Sequence, residues 1–190
     1  MFPSPTPEQA IDATRQWLEK AVIGLNLCPF AKSVHARQQI RYAVSTATSG
    51  MALHADLAKE LKLLQNADPQ EIDTTLLIHP WVLGDFLDFN DFLEVADALL
   101  EELGLDGEIQ VASFHPHYQF ADTDADDIGN CTNRSPYPTL HLLRETSIDQ
   151  AVGAFPDASA IFEKNIETMR ELGPAGWRAL WAGREEINKR

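Results

Sequence analysis

The chain has 190 residues, of which 44% are hydrophobic, and its formal net charge is −14. This length and composition are sufficient for one hydrophobic core without stabilising disulfides or metals. The negative charge disfavours nucleic acids and anionic membranes as partners, because binding to them relies on clustered Lys and Arg. A small anion is compatible with this charge, because a local arginine pocket acts at contact distance.

Several motifs are missing from the sequence. No segment approaches the roughly 18–20 apolar residues of a membrane span, and the first nine residues have no signal-peptide pattern. Two cysteines, Cys28 and Cys131, are too few for a disulfide framework. We therefore expect a cytoplasmic protein with free thiols. Glycine-rich phosphate loops are also missing, which disfavours nucleotide cofactors bound through them.

The first elements are marked by capping residues. Thr6, Pro7 and Gln9 form the pattern of a capped helix start, and apolar residues follow at helical spacing. Pro29 does not continue this helix but suits the first position of a second, short helix. That arrangement predicts Cys28 as the N-cap of the short helix.

Hydrophobic spacing and turn residues predict the remaining elements. In chain order they are a strand over 40–47, a helix over 49–66, a strand over 74–82, a helix over 88–103, strands over 109–114 and 139–144, and helices over 147–154, 157–172 and 174–183. The first strand alternates in polarity and is expected at or near a sheet edge. The second is apolar on both faces and is expected in the interior. Gly104 and Gly173 mark helix ends.

This order predicts an α/β fold in one domain over residues 1–190. We expect a mixed sheet of about four strands covered by helices, with the first three strands mainly parallel and the last antiparallel. Residues 1–7 are expected to be a flexible N-terminus and residues 121–137 a long functional loop. Strand order is not predicted by these patterns.

Two consecutive strands, both expected in the sheet interior, end in the same dipeptide. His79 precedes Pro80, and His115 precedes Pro116. Ligands of open parallel sheets bind beyond the carboxyl ends of the strands, so both histidines are candidate acid/base residues. His117 follows two positions later, is expected on the same face as His115 and is a candidate substrate-binding residue.

An antiparallel last strand begins at the same edge of the sheet. Its approach contains four candidate substrate-binding residues, Asn133, Arg134, Ser135 and Tyr137. Arg134 is suited to clamp a carboxylate or phosphate, because a guanidinium binds such groups in a bidentate manner. The competing interpretation is that Arg134 holds the acidic loop through Asp126 or Asp127.

Three segments resemble a known family. They are WLEKAVIGLNLCPFA, SFHPHYQF and NRSPYPTLHLLRE, and they are similar to a family of bacterial proteins of this length that is described as a domain of unknown function. The resemblance runs over nearly the whole chain and implies no particular activity. Five residues of interest lie within these segments, namely Cys28, His115, Asn133, Arg134 and His141.

Cys28 is a candidate nucleophile. A thiol at a helix N-terminus faces unpaired N–H groups, which lower its pKa and raise its reactivity. The competing interpretation is a buried cysteine that packs as a small hydrophobic residue beside Leu27 and Phe30.

His115 and His117 form a candidate metal pair, which leaves zinc open as a cofactor although the sequence requires none. Further zinc ligands of suitable type are available at Cys28, Cys131, His79 and His141. The competing interpretation is that both residues of the pair are hydrogen-bonded at a strand end. His141, between two leucines, is predicted to be a satisfied core histidine. The aspartates of residues 122–127 lack the glycine and the final glutamate of a calcium loop.

These observations favour an enzyme that acts on a small anionic metabolite. Arg134 and Asn133 are assigned to anion binding, His79 or His115 to acid/base chemistry, and Cys28 to nucleophilic attack. The alternative is a non-catalytic module that binds a small molecule or a metal of the zinc type.

Overall fold

The computed structural model describes residues 5–154 and 160–181. Its centre is a four-stranded sheet of β1 (Ile40–Val44), β2 (Thr74–Ile78), β3 (Ile109–Phe114) and β4 (Thr139–Arg144), in the order β1-β2-β4-β3. β1 is parallel to β2, whereas β4 is antiparallel to both β2 and β3. The predicted α/β class and mixed sheet are confirmed.

Strand order corrects one expectation. β1 is an edge strand and β2 is interior, as the polarity of their residues predicts. β3 is not interior, because β4 lies between β2 and β3 and leaves β3 at the second edge. The long connection after β3 therefore joins two neighbouring antiparallel strands.

Helices surround the sheet. They are α1 (Pro7–Trp17), a π-helix (Leu18–Ile23), α2 (Ala31–Ala36), α3 (Gly50–Asn66), α4 (Phe86–Glu102), a 3-10 helix (Ile128–Asn133), α5 (Glu145–Ala154) and α6 (Ile161–Ala179). The capping box is confirmed, because the Gln9 N–H donates to the Thr6 hydroxyl and the Thr6 N–H donates to the Gln9 side chain. Within these described segments, no helix has the length and hydropathy needed to cross a bilayer.

Some boundaries differ from the predictions. β1 ends at Val44 and β2 ends at Ile78. The last backbone bond after β1 runs from the Ser45 N–H to the Ile78 carbonyl, and the last one after β2 runs from the His79 N–H to the Pro138 carbonyl. α2 begins at Ala31 after a turn, and its N-cap position is occupied by Phe30. Cys28 is therefore not a helix N-cap.

The C-terminal helices meet at the predicted break. Gly173 has φ 64° and ψ 172°, which is not helical, and it separates the two parts of α6 at Pro174. The beginning of the helix predicted over 157–172 and the end of the one predicted over 174–183 lie outside the described residues, as do residues 1–4 of the predicted flexible N-terminus. Pro7, also assigned to that terminus, belongs to α1.

The two faces of the sheet are packed differently. α3 and α4 cover the first face with a continuous apolar core. The fully enclosed side chains of this core include Leu53, Leu57, Leu61, Leu64, Leu77, Phe89, Leu140 and Leu142. The second face meets α1, the π-helix, α2 and α5, and Trp17 packs edge-to-face on Phe114 with ring centroids 5.0 Å apart. Packing on the second face is incomplete.

Leu142 and Leu143 test this difference, because they are neighbours on β4 that point to opposite faces. Leu142 has no exposed surface, whereas Leu143 is half-buried. We expect Leu142→Ala to lower the free energy of unfolding by about 3 kcal/mol, and Leu143→Ala by about 1 kcal/mol, since its side chain already borders open space. Urea unfolding of both variants measures the difference, and equal losses would contradict the assigned faces.

Candidate functional site

His79 and His115 lie where the strand pattern predicts, beyond the carboxyl ends of β2 and β3. The Phe89 ring packs against both, with its centroid 5.7 Å from the His79 ring and 5.1 Å from the His115 ring. Both histidines are completely buried. The predicted convergence is therefore correct in position, but the two rings are enclosed in the core rather than open to a substrate.

Both ring nitrogens of His115 are bound to backbone groups. The His117 N–H donates to Nδ1 at 3.0 Å, which leaves the ring proton on Nε2 to be donated to the Leu83 carbonyl at 3.2 Å. Burial lowers the pKa of His115, so the ring is neutral at pH 7. These bonds hold the turn after β3 against the segment after β2.

His79 has one free nitrogen. Its Nδ1 donates to the Val82 carbonyl at 3.1 Å, whereas its buried Nε2 has no hydrogen-bond partner in the described part of the chain. Burial lowers the pKa of His79 to about 4, and the neighbouring His115 contributes in the same direction. The ring is a neutral base without access to solvent.

Arg134 holds the long loop through backbone carbonyls. Its Nε donates to the Tyr118 carbonyl at 3.1 Å and its Nη2 to the Ala125 carbonyl at 2.6 Å. Its Nη1 lies 4.0 Å from the Cys131 sulfur. The guanidinium thus ties the acidic loop as the competing interpretation expects, but through carbonyls rather than through Asp126 or Asp127.

The other predicted substrate-binding residues make structural contacts. The Asn133 side-chain amide donates to the Ser113 carbonyl at 3.3 Å, and the Ser135 hydroxyl donates to the Tyr137 carbonyl at 2.6 Å. The His117 side chain is exposed. Asn133, Arg134 and Ser135 follow one another just before β4, whereas Cys28 packs against the apolar cluster around Trp17.

The structure gives no support to a metal centre. Among residues 5–154 and 160–181, no three His, Cys, Asp or Glu side chains are grouped as metal ligands. His115 has no ring nitrogen free in this arrangement, since both are bound to the backbone. The aspartates of the long loop also form no such group.

A cavity of about 810 Å³ lies on the second face of the sheet. Its floor is formed by residues near the amino ends of β1 and β2, with contributions from β3 and β4; they are Ile40, Thr74, Leu76, Gln110, Ala112, Phe114, His141 and Leu143. Its walls come from the π-helix, the turn around Cys28, α2 and α5. The cavity is therefore on the other face from His79 and His115, and toward the other ends of the parallel strands.

His141 carries the polar group at the centre of this floor. The Thr74 hydroxyl lies 2.6 Å from the Leu142 carbonyl and 2.7 Å from His141 Nε2. A carbonyl only accepts, so the single hydroxyl proton goes to Leu142 and the oxygen accepts Nε2–H from His141. Nδ1 of His141 is then an acceptor, and nothing in the described part of the chain donates to it.

The environment of His141 keeps that acceptor available. The ring is surrounded by the fold and only partly accessible, where its surface borders the cavity. Burial lowers the pKa of His141 to about 4, so the ring is neutral at pH 7 and Nδ1 keeps its lone pair. The prediction of a satisfied core histidine is therefore wrong for one of the two nitrogens.

Cys28 lines the same cavity, but its thiol is not activated. Burial raises its pKa, and this outweighs the opposing effect of the Phe30 and Ala31 N–H groups. The predicted lowering of the thiol pKa is thus wrong, because the cavity walls desolvate the sulfur more than the turn stabilises a thiolate. The alternative of a thiol that packs among apolar side chains agrees with its contacts.

The sequence alone hardly predicts the cavity. Its floor combines small and polar residues from different strands, such as Ala112 and Thr74. These residues come together only because of the strand order, which the sequence patterns do not predict. One local signal was present, because Thr74, His141 and Gln110 are polar residues within apolar strands. Polar groups inside strands that are otherwise apolar require partners or a cavity.

Comparisons with known proteins add one finding. Residues 9–179 match the model of a protein family whose description is "Protein of unknown function (DUF1415)". The match agrees with the resemblance inferred from the three sequence segments. No curated protein and no solved structure matches the chain.

The free base at His79 predicts a dependence of stability on pH. The pKa of His79 is about 4 when folded and 6.5 ordinarily, so the unfolded chain takes up a proton between these values that the folded chain does not. The contribution of neutral His79 to the free energy of unfolding is therefore complete above pH 6.5 and is lost as the pH falls toward 4. Between about pH 7.5 and pH 5, wild type should lose about 2 kcal/mol more than His79→Asn, which keeps a donor to Val82. Urea unfolding at both pH values measures this, and parallel losses would contradict it.

The raised pKa of Cys28 predicts slow alkylation at neutral pH. In a Cys131→Ala variant, where Cys28 is the remaining cysteine, the iodoacetamide rate should rise with an inflection above the ordinary value of 9.0. Unfolding in urea should return the inflection to that value. An inflection below it in the folded protein is the outcome that favours an activated nucleophile.

Proposed function

For this chain, which belongs to the family of unknown function DUF1415, we propose that the second face of the sheet binds a small organic molecule. The molecule has a mainly apolar body and an N–H or O–H group that donates to His141. The observation that carries the proposal is the free Nδ1 of His141 at the floor of the cavity.

The size and lining of the cavity support this proposal. Ligand pockets typically enclose about 300–1,000 Å³ and combine apolar walls with a few placed polar groups. This one has about 810 Å³, with Trp17, Leu18, Val22 and Phe114 among its apolar residues. Protein interiors are otherwise close-packed, so a space of this size is not an ordinary packing defect.

The hydrogen bond to Thr74 prepares His141 for one kind of ligand. Because the Nε2 proton is held by the Thr74 hydroxyl, the ring presents an acceptor and not a donor to the cavity. An acceptor in apolar surroundings favours a ligand that carries a donor, since an unpaired polar group in such a place is unfavourable. Thr74 thus selects the tautomer and the ligand satisfies the other nitrogen.

Binding is better supported than nucleophilic catalysis. Burial raises the pKa of Cys28 and lowers that of His141, so both shifts oppose proton transfer from the thiol to the imidazole. The second candidate function is an enzyme in which neutral His141 acts as a general base and takes a proton from an acidic N–H or O–H group of the bound molecule. We place either activity in the cytoplasm of a bacterial cell, in line with the free thiols of Cys28 and Cys131.

A cavity-filling variant tests where binding occurs. N-phenyl-1-naphthylamine is a neutral fluorescent probe with an apolar body and one N–H group. Ala112→Phe should lower its affinity about tenfold or more, because the new ring occupies the cavity floor and aromatic residues suit a strand. The matched control is Ala98→Phe on the exposed side of α4. Equal probe affinity in both folded variants would contradict the proposal.

A second variant tests the polar anchor. The side-chain amide of His141→Gln is suited to donate to Thr74 but has no equivalent of Nδ1. Its affinity for N-phenyl-1-naphthylamine should fall about fivefold, in line with one lost hydrogen bond. Displacement titration with 1-benzylnaphthalene, in which CH₂ replaces N–H, should show no such loss. Equal losses for both molecules would exclude His141 as the acceptor.

A further inference from the structure

The cavity opens to solvent beside one basic side chain. Arg37 is exposed and is the one Lys or Arg among the described residues that line the cavity. Asp73 is the one acidic residue of that described lining, and it accepts the Ser147 hydroxyl at 2.6 Å. Within the described ranges the lining therefore has one positive and one negative group, and the negative group already has a hydrogen-bond donor.

The Arg37 guanidinium is oriented but unpaired. Its Nε donates to the Ser33 carbonyl at 3.3 Å and its Nη2 to the Ser33 hydroxyl at 3.4 Å, which hold it against α2. No carboxylate of residues 5–154 and 160–181 forms an ion pair with it. Its remaining N–H groups are therefore available to an anionic ligand.

Four other arginines bind carboxylates or backbone carbonyls, whereas exposed Arg170 and Arg178 on α6 form no ion pair within the described ranges but do not line the cavity. Arg41 pairs with Glu60 at 2.7 Å, and Arg15 lies 3.7 Å from Asp12. Arg134 and Arg144 donate to several backbone carbonyls. Arg37 differs from these four because its bonds are confined to Ser33, one turn earlier on the same helix.

Three uncharged amide side chains also line the cavity. The side chains of Gln70, Gln110 and Gln150 are exposed, line the cavity and make no hydrogen bond within the described ranges. Amide N–H groups and a guanidinium are suitable donors for the oxygens of a carboxylate or phosphate.

We propose that Arg37 binds the anionic head group of an amphiphile whose apolar tail occupies the cavity. This inference rests on the proposed function and names its ligand class, an organic carboxylate or phosphate ester whose medium-length, mainly apolar tail carries the N–H or O–H group that donates to His141. A head group of low charge, such as one carboxylate, is favoured over a more highly charged one, because one guanidinium binds it while the net charge of −14 repels anions at longer range. The rim thus selects the head group and the interior selects the tail.

Displacement of N-phenyl-1-naphthylamine by four ten-carbon ligands tests this. The ligands are decanoate, decyl phosphate, decanol and decylamine. They share a tail that has no donor group for His141 and differ in head group, so they compare the head groups alone. Decanoate or decyl phosphate should displace the probe about five to ten times more effectively than decanol, and decylamine least effectively. Shortening the acid by one CH₂ should weaken displacement about fourfold, because the tail contributes by apolar burial.

Two variants distinguish a direct contact between Arg37 and the head group from the effect of the overall charge of the protein. Arg37→Gln should remove the advantage of decanoate over decanol, whereas Lys32→Gln should leave it, since Lys32 is an exposed cation on the same helix that does not line the cavity. Decanol that binds as well as both anions, or an anion preference that survives in Arg37→Gln, overturns the head-group site while leaving the cavity proposal intact. Failure of the probe and of all four ligands to bind wild type overturns both proposals.

Discussion

Both faces of the sheet depend on the position of β4 between β2 and β3. Side chains of a strand alternate between faces, so Leu140 and Leu142 complete the apolar core while His141 projects to the second face. The register places His141 in one row with Leu76 and Ala112. A slip of one residue would bury the imidazole in the core and move a leucine into the cavity. The same pairing that completes the core therefore also orients the polar anchor.

The long connection between β3 and β4 explains why residues that resemble catalytic groups have structural partners here. An irregular segment that is partly buried must satisfy its backbone groups through side chains. Arg134 donates to two carbonyls of this segment, and buried Asn130 accepts from the Phe120 N–H and donates to the Asp124 carbonyl. His115 likewise bonds two backbone groups. Many polar side chains in a loop can therefore indicate an ordered backbone that they bind, and not only a catalytic or binding site.

Local patterns predict the elements better than they predict the site. The Thr6 cap follows from residues three positions apart, and the proximity of His79 to His115 follows from two parallel strands. The position of β4 depends on its pairing with β2, which is distant in the sequence. Unless that pairing is known, neither the edge position of β3 nor the surroundings of His141 can be predicted. Cys28 shows the same limit, because the sequence indicates nearby N–H groups but not the burial that raises its pKa.

An open space of about 810 Å³ in a chain of 190 residues also has a volumetric consequence. Unfolding removes internal voids, so the volume of the system decreases and hydrostatic pressure favours the unfolded chain in proportion to the space that water does not fill. A molecule that occupies the cavity fills that space without altering the sheet beneath it. Occupancy of the second face therefore reduces the volume decrease on unfolding, to which the close-packed first face contributes little.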